Sequence, residues 1–215
     1  MCGQFEALLY LNFLKNTLHL PDLPDKVEYG HTSRVAPSDG APIVIENPET
    51  GRLEVIPARF GLIPHWYSGS LKDWKASTFN ARLDTVAEKP VFKGAWKYRH
   101  ALVPADCFHE WSGAKIARHK NARQKWRITR GDNQPLAFAG LWDCANLLEG
   151  EIWSFTLLTR EAGPEMSAIH DREPVVLSPD QWDNWLRRRP VDLTANAPLK
   201  LTTESAAIPA QSALF

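Results

Sequence analysis

Short apolar runs separated by turn-forming residues extend through much of this 215-residue sequence, and they constrain its fold more than any other feature. Residues 42–46 and 53–59 are two such runs, and residues 47–51 between them have the chemistry of a hairpin turn. Because successive runs are joined by short turns rather than by long helices, the pattern favours an α+β fold on an antiparallel sheet. Further strands are predicted at residues 126–129, 136–142, 152–159 and 175–177.

Two segments have helical patterns. Residues 5–14 predict an amphipathic helix. Near the C-terminus, Ser178 and Gln181 form a capping box, and Pro179 suits the first helical position. An apolar face that begins at Trp182 follows, so a helix is predicted to start here.

The remaining segments give no sign of a second domain. Residues 21–41 are rich in Pro, Gly, Asp and Ser and are predicted to be a loop. The pattern becomes weak after residue 190. We therefore expect a single domain followed by a short tail.

Composition excludes several classes of protein. The chain has 25 basic and 25 acidic residues, so its net charge gives no indication of a nucleic-acid partner. No apolar run approaches the roughly 18 residues that a membrane helix needs, and the run at residues 7–14 lacks the basic flank of a secretory signal. Three cysteines, an odd number, indicate neither a disulfide framework nor a zinc site. They favour a reducing, cytoplasmic setting.

The chain begins Met1-Cys2-Gly3. Cysteine is small enough for the initiator methionine to be a target for removal, which would leave Cys2 with a free α-amine beside its thiol. Both groups are partly nucleophilic at neutral pH, because their reference pKa values are about 8 and about 8.5. Such a 1,2-aminothiol condenses with an aldehyde to a Schiff base and then closes a thiazolidine ring. The alternative is that cysteine stands at position 2 by chance and only packs.

Three further segments put proton-transferring or anion-binding groups beside apolar runs. They contain Asn80 and Arg82, then Glu110 between a histidine and a tryptophan, then His170. An apolar neighbour makes a carboxyl group a better general acid, which suits Glu110. Each also has a plain structural interpretation: Glu110 as a solvent-facing strand residue, His170 as a turn histidine and Arg82 as a surface ion pair.

Positive charge is segregated along the chain. Between residues 111 and 131 there is no acidic residue, but there are seven Lys and Arg residues. A second acid-free stretch, residues 89–100, contains four more. Such stretches can follow a phosphate backbone, and the aromatic residues among them can stack on unpaired bases. The alternative is a solvated face or loop between strands.

Six short motifs occur in one order over about residues 2–187, and together they resemble the SRAP family, the SOS response-associated peptidases that process abasic sites. The resemblance implies an SRAP-like domain over residues 2–190, built on a mainly antiparallel, barrel-like sheet with flanking helices, and a tail at 191–215. The motifs are Met1-Cys2-Gly3, Arg34-Val35-Ala36-Pro37, Phe60-Gly61-Leu62-Ile63-Pro64-His65-Trp66, Asn80-Ala81-Arg82, Phe108-His109-Glu110-Trp111 and Ile169-His170-Asp171-Arg172-Glu173-Pro174.

The resemblance also implies an activity. Family members bind single-stranded DNA that carries an abasic site, whose ring-opened sugar is an aldehyde. The product is a covalent thiazolidine crosslink that shields the lesion, and family members also remove their own initiator methionine and show lyase-like behaviour. The family implies no cofactor, no metal and no membrane. We expect a monomer in the cytoplasm, associated with the nucleoid when it is bound to DNA.

The resemblance assigns the chemistry to four residues. Cys2 is the nucleophile and the crosslinking residue, and Asn80 positions Cys2 or the lesion by hydrogen bonds. Glu110 protonates the sugar ring oxygen as the ring opens and assists removal of Met1. His170 moves protons while the Schiff base forms or reverts.

Three residues are expected to contact DNA. Arg82 holds a phosphate beside the lesion, and Trp66 resembles the aromatic wedge that stacks on a base. The family usually has arginine at the fourth position, where this chain has Gln4. Arg34, which stands where the family usually has asparagine, is the candidate to replace the missing positive charge.

Two other functions remain open from the sequence. An N-terminal-nucleophile amidohydrolase would also begin with a processed Met-Cys-Gly, and Cys2-dependent release of ammonia from glutamine would favour it. A non-covalent single-strand-binding module would bind abasic DNA with an inert Cys2.

Overall fold

The computed structural model describes residues 3–8, 12–18, 34–112, 124–194 and 196–204. Within these residues the chain forms eleven strands, three α-helices and one 3-10 turn at Leu71–Asp73. The strands are β1 (Phe5–Ala7), β2 (Arg34–Val35), β3 (Gly40–Glu46), β4 (Leu53–Phe60), β5 (Asn80–Arg82), β6 (His100–Ser112), β7 (Gln124–Arg130), β8 (Leu136–Leu147), β9 (Gly150–Glu161), β10 (Arg172–Pro174) and β11 (Leu199–Glu204). The helices are α1 (Asn12–Thr17), α2 (Pro90–Tyr98) and α3 (Pro179–Leu186).

Five strands close into a barrel in the order β3, β4, β9, β8 and β6, and β6 returns to β3. Pairing around this ring is antiparallel except between β4 and β9. The second half of β6 extends beyond the ring, where it pairs with β1 and β7. The expected α+β fold on a mainly antiparallel, barrel-like sheet is therefore confirmed.

Phenylalanine rings fill the barrel. The Phe5 ring lies edge-on to Phe60 at 5.5 Å and to Phe138 at 5.8 Å, measured between ring centroids. Phe60 stacks on Phe155 at 5.1 Å, and Phe108 meets Phe138 at 5.9 Å. All five side chains are fully buried, so this cluster fixes β1 against the ring of strands.

The helices cover the outer face of the barrel. The α3 helix packs on β6 and β3, and α2 packs on β8. The buried Trp185 indole donates to the carbonyl oxygen of Ala101 at 2.8 Å. The predicted capping box is present, because the Ser178 amide donates to the Gln181 side chain at 3.0 Å. No helix of the described residues is long and apolar enough to cross a membrane.

Strand direction brings the ends of three strands together. Because β8 runs antiparallel to both β6 and β9, those two strands point the same way, and β4 runs parallel to β9. The carboxyl ends of β4, β6 and β9 therefore lie toward one end of the barrel, which we call the carboxyl end. The α2 helix directly precedes β6 and so lies toward the opposite end.

The helix predicted over residues 5–14 is wrong in its first half. Phe5–Ala7 form β1, residues 9–11 lie outside the described residues, and Asn12–Thr17 form α1. Phe5 is fully buried, and β1 pairs with β2 on one side and β6 on the other. These long-range contacts outweigh a helical spacing of apolar residues that is only local.

Other expectations need smaller changes. Residues 175–177 form only one bridge, between Val176 and Phe138, and the regular strand β10 lies just before them. Of the predicted loop at 21–41, residues 21–33 lie outside the described residues, while residues 34–35 and 40–41 belong to β2 and β3. The weak pattern after residue 190 includes β11, which pairs with β7.

Candidate functional site

The N-terminal residues enter the site along β6. The Gln4 carbonyl oxygen accepts a hydrogen bond from the His109 amide at 2.9 Å. The register pairs Phe5 with Phe108, so its continuation by two residues puts Gly3 opposite Glu110. Met1 and Cys2 lie outside the described residues. Gly3 is thus where the described chain begins, beside the predicted general acid.

Glu110 lies on the inner face of β6. It alternates with the buried Phe108 and stands opposite Trp126 of β7. The Trp126 indole donates to the Ser112 hydroxyl at 2.7 Å, which fixes an aromatic wall beside the carboxyl group. Glu110 is only 4% exposed, so the interpretation as a solvent-facing strand residue is wrong. A carboxyl group held in this way can exchange a proton where water is largely excluded.

Asn80 and Arg82 share one face of β5. Ala81 between them packs into the outer apolar cluster, whereas Asn80 stands opposite Leu157 of the barrel core. Phe79, which packs edge-on against the Phe60 ring at 5.8 Å, anchors the start of this strand. Alternation along β5 therefore directs Asn80 and Arg82 toward the inner side.

Arg82 is held by a carboxylate. Its guanidinium donates to both Asp84 oxygens, at 2.8 and 3.2 Å, and its side chain is 55% exposed. The same hydrogen bond raises the pKa of Arg82 and lowers the pKa of Asp84. The surface ion pair that the sequence left open is thus present. It leaves the guanidinium exposed enough to meet a phosphate.

His170 follows a mostly exposed turn that the buried Met166 anchors. Its amide donates to the Met166 carbonyl oxygen at 2.9 Å, and Met166 belongs to the barrel core. The His170 Nδ1 atom accepts from the Arg172 amide at 3.0 Å and lies 2.6 Å from an Asp171 carboxylate oxygen. Both contacts are made by the Nδ1 atom, and together they orient the imidazole ring.

A cleft of about 330 Å³ joins two of the predicted segments. Its lining includes Arg82 of β5, Asp171 beside His170, and Arg172. Arg172 is itself held in place, because its guanidinium donates to the Thr159 carbonyl oxygen at 2.8 Å. Asp84, Asp171 and Arg172 form the polar surroundings of Arg82, and sequence reasoning assigned no role to any of them. Asp171 and Arg172 belong to the last of the six motifs, whereas nothing in the sequence indicated Asp84.

Trp66 lies in a separate loop. It is 55% exposed and packs edge-on against Trp74, with ring centroids 6.4 Å apart. The loop is tied to the barrel by the Ile63 amide, which donates to the Ser154 hydroxyl at 2.8 Å. An exposed indole on a loop that is fixed to the barrel suits stacking on a nucleobase.

Arg34 lies on β2, where the register pairs it with Glu6 of β1 rather than with Gly3. Of the acid-free stretch at 111–131, residues 113–123 lie outside the described residues, and Lys125 and Arg127 lie on β7 beside the Glu110 strand. Most of the other stretch forms α2, which directly precedes the start of β6.

The two described cysteines are poor nucleophiles. Cys107 is fully buried, and burial raises the pKa of its thiol to about 12. Burial likewise raises the pKa of the Cys144 thiol to about 12, with a further rise from Glu151. Both remain protonated at neutral pH, and the thiolate is the reactive form.

Comparison with known proteins identifies the relatives. The family model described as SOS response associated peptidase (SRAP) matches residues 1–211. The chain is 30% identical to the abasic site processing protein YoqW of Bacillus subtilis over 193 residues, which cover 89% of this chain and 83% of the relative. It is 29% identical to the abasic site processing protein YedK of Escherichia coli over 192 residues, or 87% of this chain and 80% of that protein.

Similarity extends to animals and to solved structures. The mouse abasic site processing protein HMCES is 27% identical over 195 residues, which cover 75% of this chain and 54% of that protein. A crystal structure of a protein from Bordetella bronchiseptica has the same fold, with a TM-score of 0.76 and 23% identity over 95% of this chain and 100% of that one. Because the family model spans nearly the whole sequence, the chain belongs to the SOS response-associated peptidase (SRAP) family.

Proposed function

We propose that this chain processes abasic sites in single-stranded DNA by forming a covalent thiazolidine crosslink through Cys2, after Met1 has been removed. The observation that carries the proposal is the pairing of the N-terminal residues with β6. The Gln4–His109 hydrogen bond of 2.9 Å and the β1 register bring Gly3 opposite the buried Glu110. The names of the relatives YoqW, YedK and HMCES support the lesion as the substrate.

The chemistry needs no cofactor. The Cys2 amine attacks C1 of the ring-opened deoxyribose, and loss of one water gives a Schiff base. The Cys2 sulfur then adds to the imine carbon, its proton passes to the nitrogen, and a five-membered ring results. The net change is one aldehyde plus one aminothiol giving one thiazolidine and one water. Both nucleophiles must therefore belong to the same residue.

The internal cysteines support this assignment by elimination. Cys107 and Cys144 both have thiol pKa values raised to about 12, so neither supplies thiolate at neutral pH. Neither carries a free amine, and an internal cysteine cannot close the ring. Cys2 is the remaining cysteine of the chain.

The other site residues have separate roles in the proposal. Glu110 delivers the proton that opens the sugar ring and takes part in the removal of Met1, while Asn80 orients the N-terminus or the lesion. The His170 imidazole moves protons during Schiff-base formation and during the lyase-like reversal. Arg82 meets the phosphate beside the lesion, and the cleft that it shares with Asp171 supports a joint site.

A denaturing gel with an abasic single-stranded oligonucleotide tests the proposal. We expect Cys2→Ala and Cys2→Ser to abolish the heat-stable adduct, because one lacks the sulfur and the other replaces it with a much weaker nucleophile. The control Cys144→Ser should crosslink at the wild-type rate. Mass spectrometry should show that Met1 is absent and that the adduct mass is the sum of the reactants minus one water.

A second variant separates the aminothiol from a simple thiol. One retained residue placed before Cys2 keeps the sulfur but turns the amine into an amide, and we expect no heat-stable adduct. An adduct in this variant or in Cys2→Ala contradicts the proposal. Crosslinking by protein that still carries Met1 would contradict it equally.

A further inference from the structure

Three metal-ligating side chains meet on the face of β6 opposite to Glu110. They are Glu6 of β1 with Cys107 and His109 of β6. The His109 Nε2 atom lies 3.1 Å from a Glu6 carboxylate oxygen and 3.8 Å from the Cys107 sulfur. One ligand atom from each residue lies within 4.8 Å of the other two. No role in the proposed function uses this cluster.

The spacing matches a tetrahedral metal site. With zinc–sulfur bonds of about 2.3 Å and zinc–nitrogen or zinc–oxygen bonds of about 2.0–2.1 Å, tetrahedral angles separate sulfur from nitrogen by roughly 3.6 Å and nitrogen from oxygen by roughly 3.3 Å. The distances here, 3.8 and 3.1 Å, differ from these by about 0.2 Å. For two of the three ligand pairs the spacing therefore fits a bound Zn²⁺ ion, and the third lies within 4.8 Å.

We propose that Glu6, Cys107 and His109 bind one Zn²⁺ ion, with water as the fourth ligand. The mixed set of sulfur, nitrogen and oxygen suits a borderline-soft divalent ion rather than Mg²⁺ or Ca²⁺, which prefer oxygen ligands alone. On binding, the Cys107 thiol releases its proton to solvent. The His109 Nε2 lone pair coordinates the metal, so the imidazole proton resides on Nδ1.

Burial and nearby charges both affect how a cation would reach and bind these three residues. Cys107 and His109 are fully buried, while the Glu6 side chain is 28% exposed and gives the ion and the water a path from solvent. Arg127 lies 4.0 Å from the second Glu6 oxygen and opposes a cation, whereas the nearby Asp106 favours one. The Glu6 carboxylate and the Cys107 thiolate together offset the two positive charges of the ion.

The metal would join two strands. Glu6 comes from the three-residue β1, and the other two ligands come from the long β6. Coordination would fix the register that brings Gly3 to Glu110. The metal site does not depend on the proposed function, since it uses none of the DNA-processing residues. The three cysteines of the sequence did not indicate it, because its ligands are one cysteine, one histidine and a glutamate about a hundred residues away.

Cobalt titration of the tag-free chain tests the site. The Cys2→Ala background removes the N-terminal thiol, so a thiolate-to-cobalt charge-transfer band reports an internal cysteine. We expect a band that saturates at one Co²⁺ per chain and is displaced by Zn²⁺. Cys107→Ser should abolish the band, and Cys144→Ser should leave it unchanged. Glu6→Gln, at a partly exposed position, should fold normally and weaken binding by at least about tenfold.

Thermal unfolding gives a second measurement. Zn²⁺ should raise the unfolding midpoint of the Cys2→Ala chain and of its Cys144→Ser derivative, because a ligand that binds the folded state stabilises it. It should raise the midpoint of the Glu6→Gln variant less. Absence of the cobalt band, a band that survives Cys107→Ser, or an equal zinc effect in Glu6→Gln would overturn the proposal.

Discussion

Glu110 and His109 are neighbours in the chain, but the alternation of a strand sends them to opposite faces of β6. Glu110 packs against the aromatic wall of Trp126, whereas His109 turns to Glu6 and Cys107. One residue therefore belongs to the candidate DNA-processing site and the next to the candidate zinc site. A shift of one residue in the β1 register would turn Glu6 to the other face of the sheet, away from Cys107 and His109, so the role of Glu6 depends on strand pairing.

Glu110→Gln tests the proton-transfer role. The amide has nearly the same shape as the carboxyl group, so the variant should fold and bind abasic single-stranded DNA as the wild type does. It cannot donate an acidic proton to the sugar ring oxygen, and we expect crosslinking to slow by about 10² to 10⁴-fold, the usual contribution of a general acid. The measurement is the single-turnover rate at saturating oligonucleotide.

The matched control is Asp106→Asn, an isosteric change of an exposed carboxylate on the same strand. It should crosslink at the wild-type rate. If Glu110→Gln also reacted at that rate, Glu110 would have no part in the covalent step.

Among the elements, β1 is the one that connects the N-terminus to the barrel. It has only three residues, yet Phe5 lies against three other phenyl rings of the core. A strand this short has little stability of its own, so packing of one aromatic side chain must supply much of what holds it. The core rings that hold Phe5 are distant in the sequence. The local pattern, which has a helical spacing, therefore predicted a helix instead of β1.

Phe5→Ala measures this contribution. Removal of a fully buried phenyl ring should lower the free energy of unfolding by about 3–5 kcal/mol, from lost apolar burial and the remaining cavity. Urea denaturation gives the value. The control Leu148→Ala, at a side chain 79% exposed in the β8–β9 turn, should change it by less than about 0.5 kcal/mol. Equal effects of the two changes would mean that Phe5 does not hold β1.

Elements defined by local chemistry were predictable from the sequence. The β3–β4 hairpin has its turn residues between two apolar runs, and α3 has its capping box and first-position proline. Elements defined by distant partners were not, and these include β1, β5 and the second half of β6. The site follows the same division. Motif order named Asn80 and Glu110, but Asp84 has meaning only through Arg82 and the Glu6 cluster only through strand pairing.

At the scale of the whole molecule, a net charge of zero conceals two basic surfaces on different sides of the barrel strands. Lys125 and Arg127 lie on β7 opposite Trp111 and His109, so strand alternation puts their side chains on the face of the sheet opposite to Glu110. Lys93 and Lys97 lie on α2, which precedes the start of β6. From His100 to Glu110 an extended strand spans up to about 33 Å. The β7 surface is therefore on the strand that flanks Glu110, whereas the α2 surface adjoins the Trp66 loop, where the Arg99 guanidinium lies 3.1 Å from the His65 ring.

We expect the β7 surface, on the strand that flanks Glu110, to follow the DNA backbone. The double variant Lys125→Gln/Arg127→Gln should weaken non-covalent binding of a single strand that carries a stable, non-reactive abasic analogue. Each phosphate neutralised contributes about 0.7 to the slope of log affinity against log salt for single strands. Loss of both charges should therefore reduce that slope by about 1.4, as measured by fluorescence anisotropy over a range of salt concentrations.

The charge-matched control Lys93→Gln/Lys97→Gln removes the same number of charges from the α2 surface. We expect its affinity and salt slope to change less than those of the β7 variant, because α2 precedes the start of β6, at the end of that strand away from Glu110. Equal losses in the two double variants would show that binding responds to total charge and not to the surface beside the site. A loss confined to the α2 variant would put the DNA path on the opposite side of the barrel and would separate it from the residues that we assign to the chemistry.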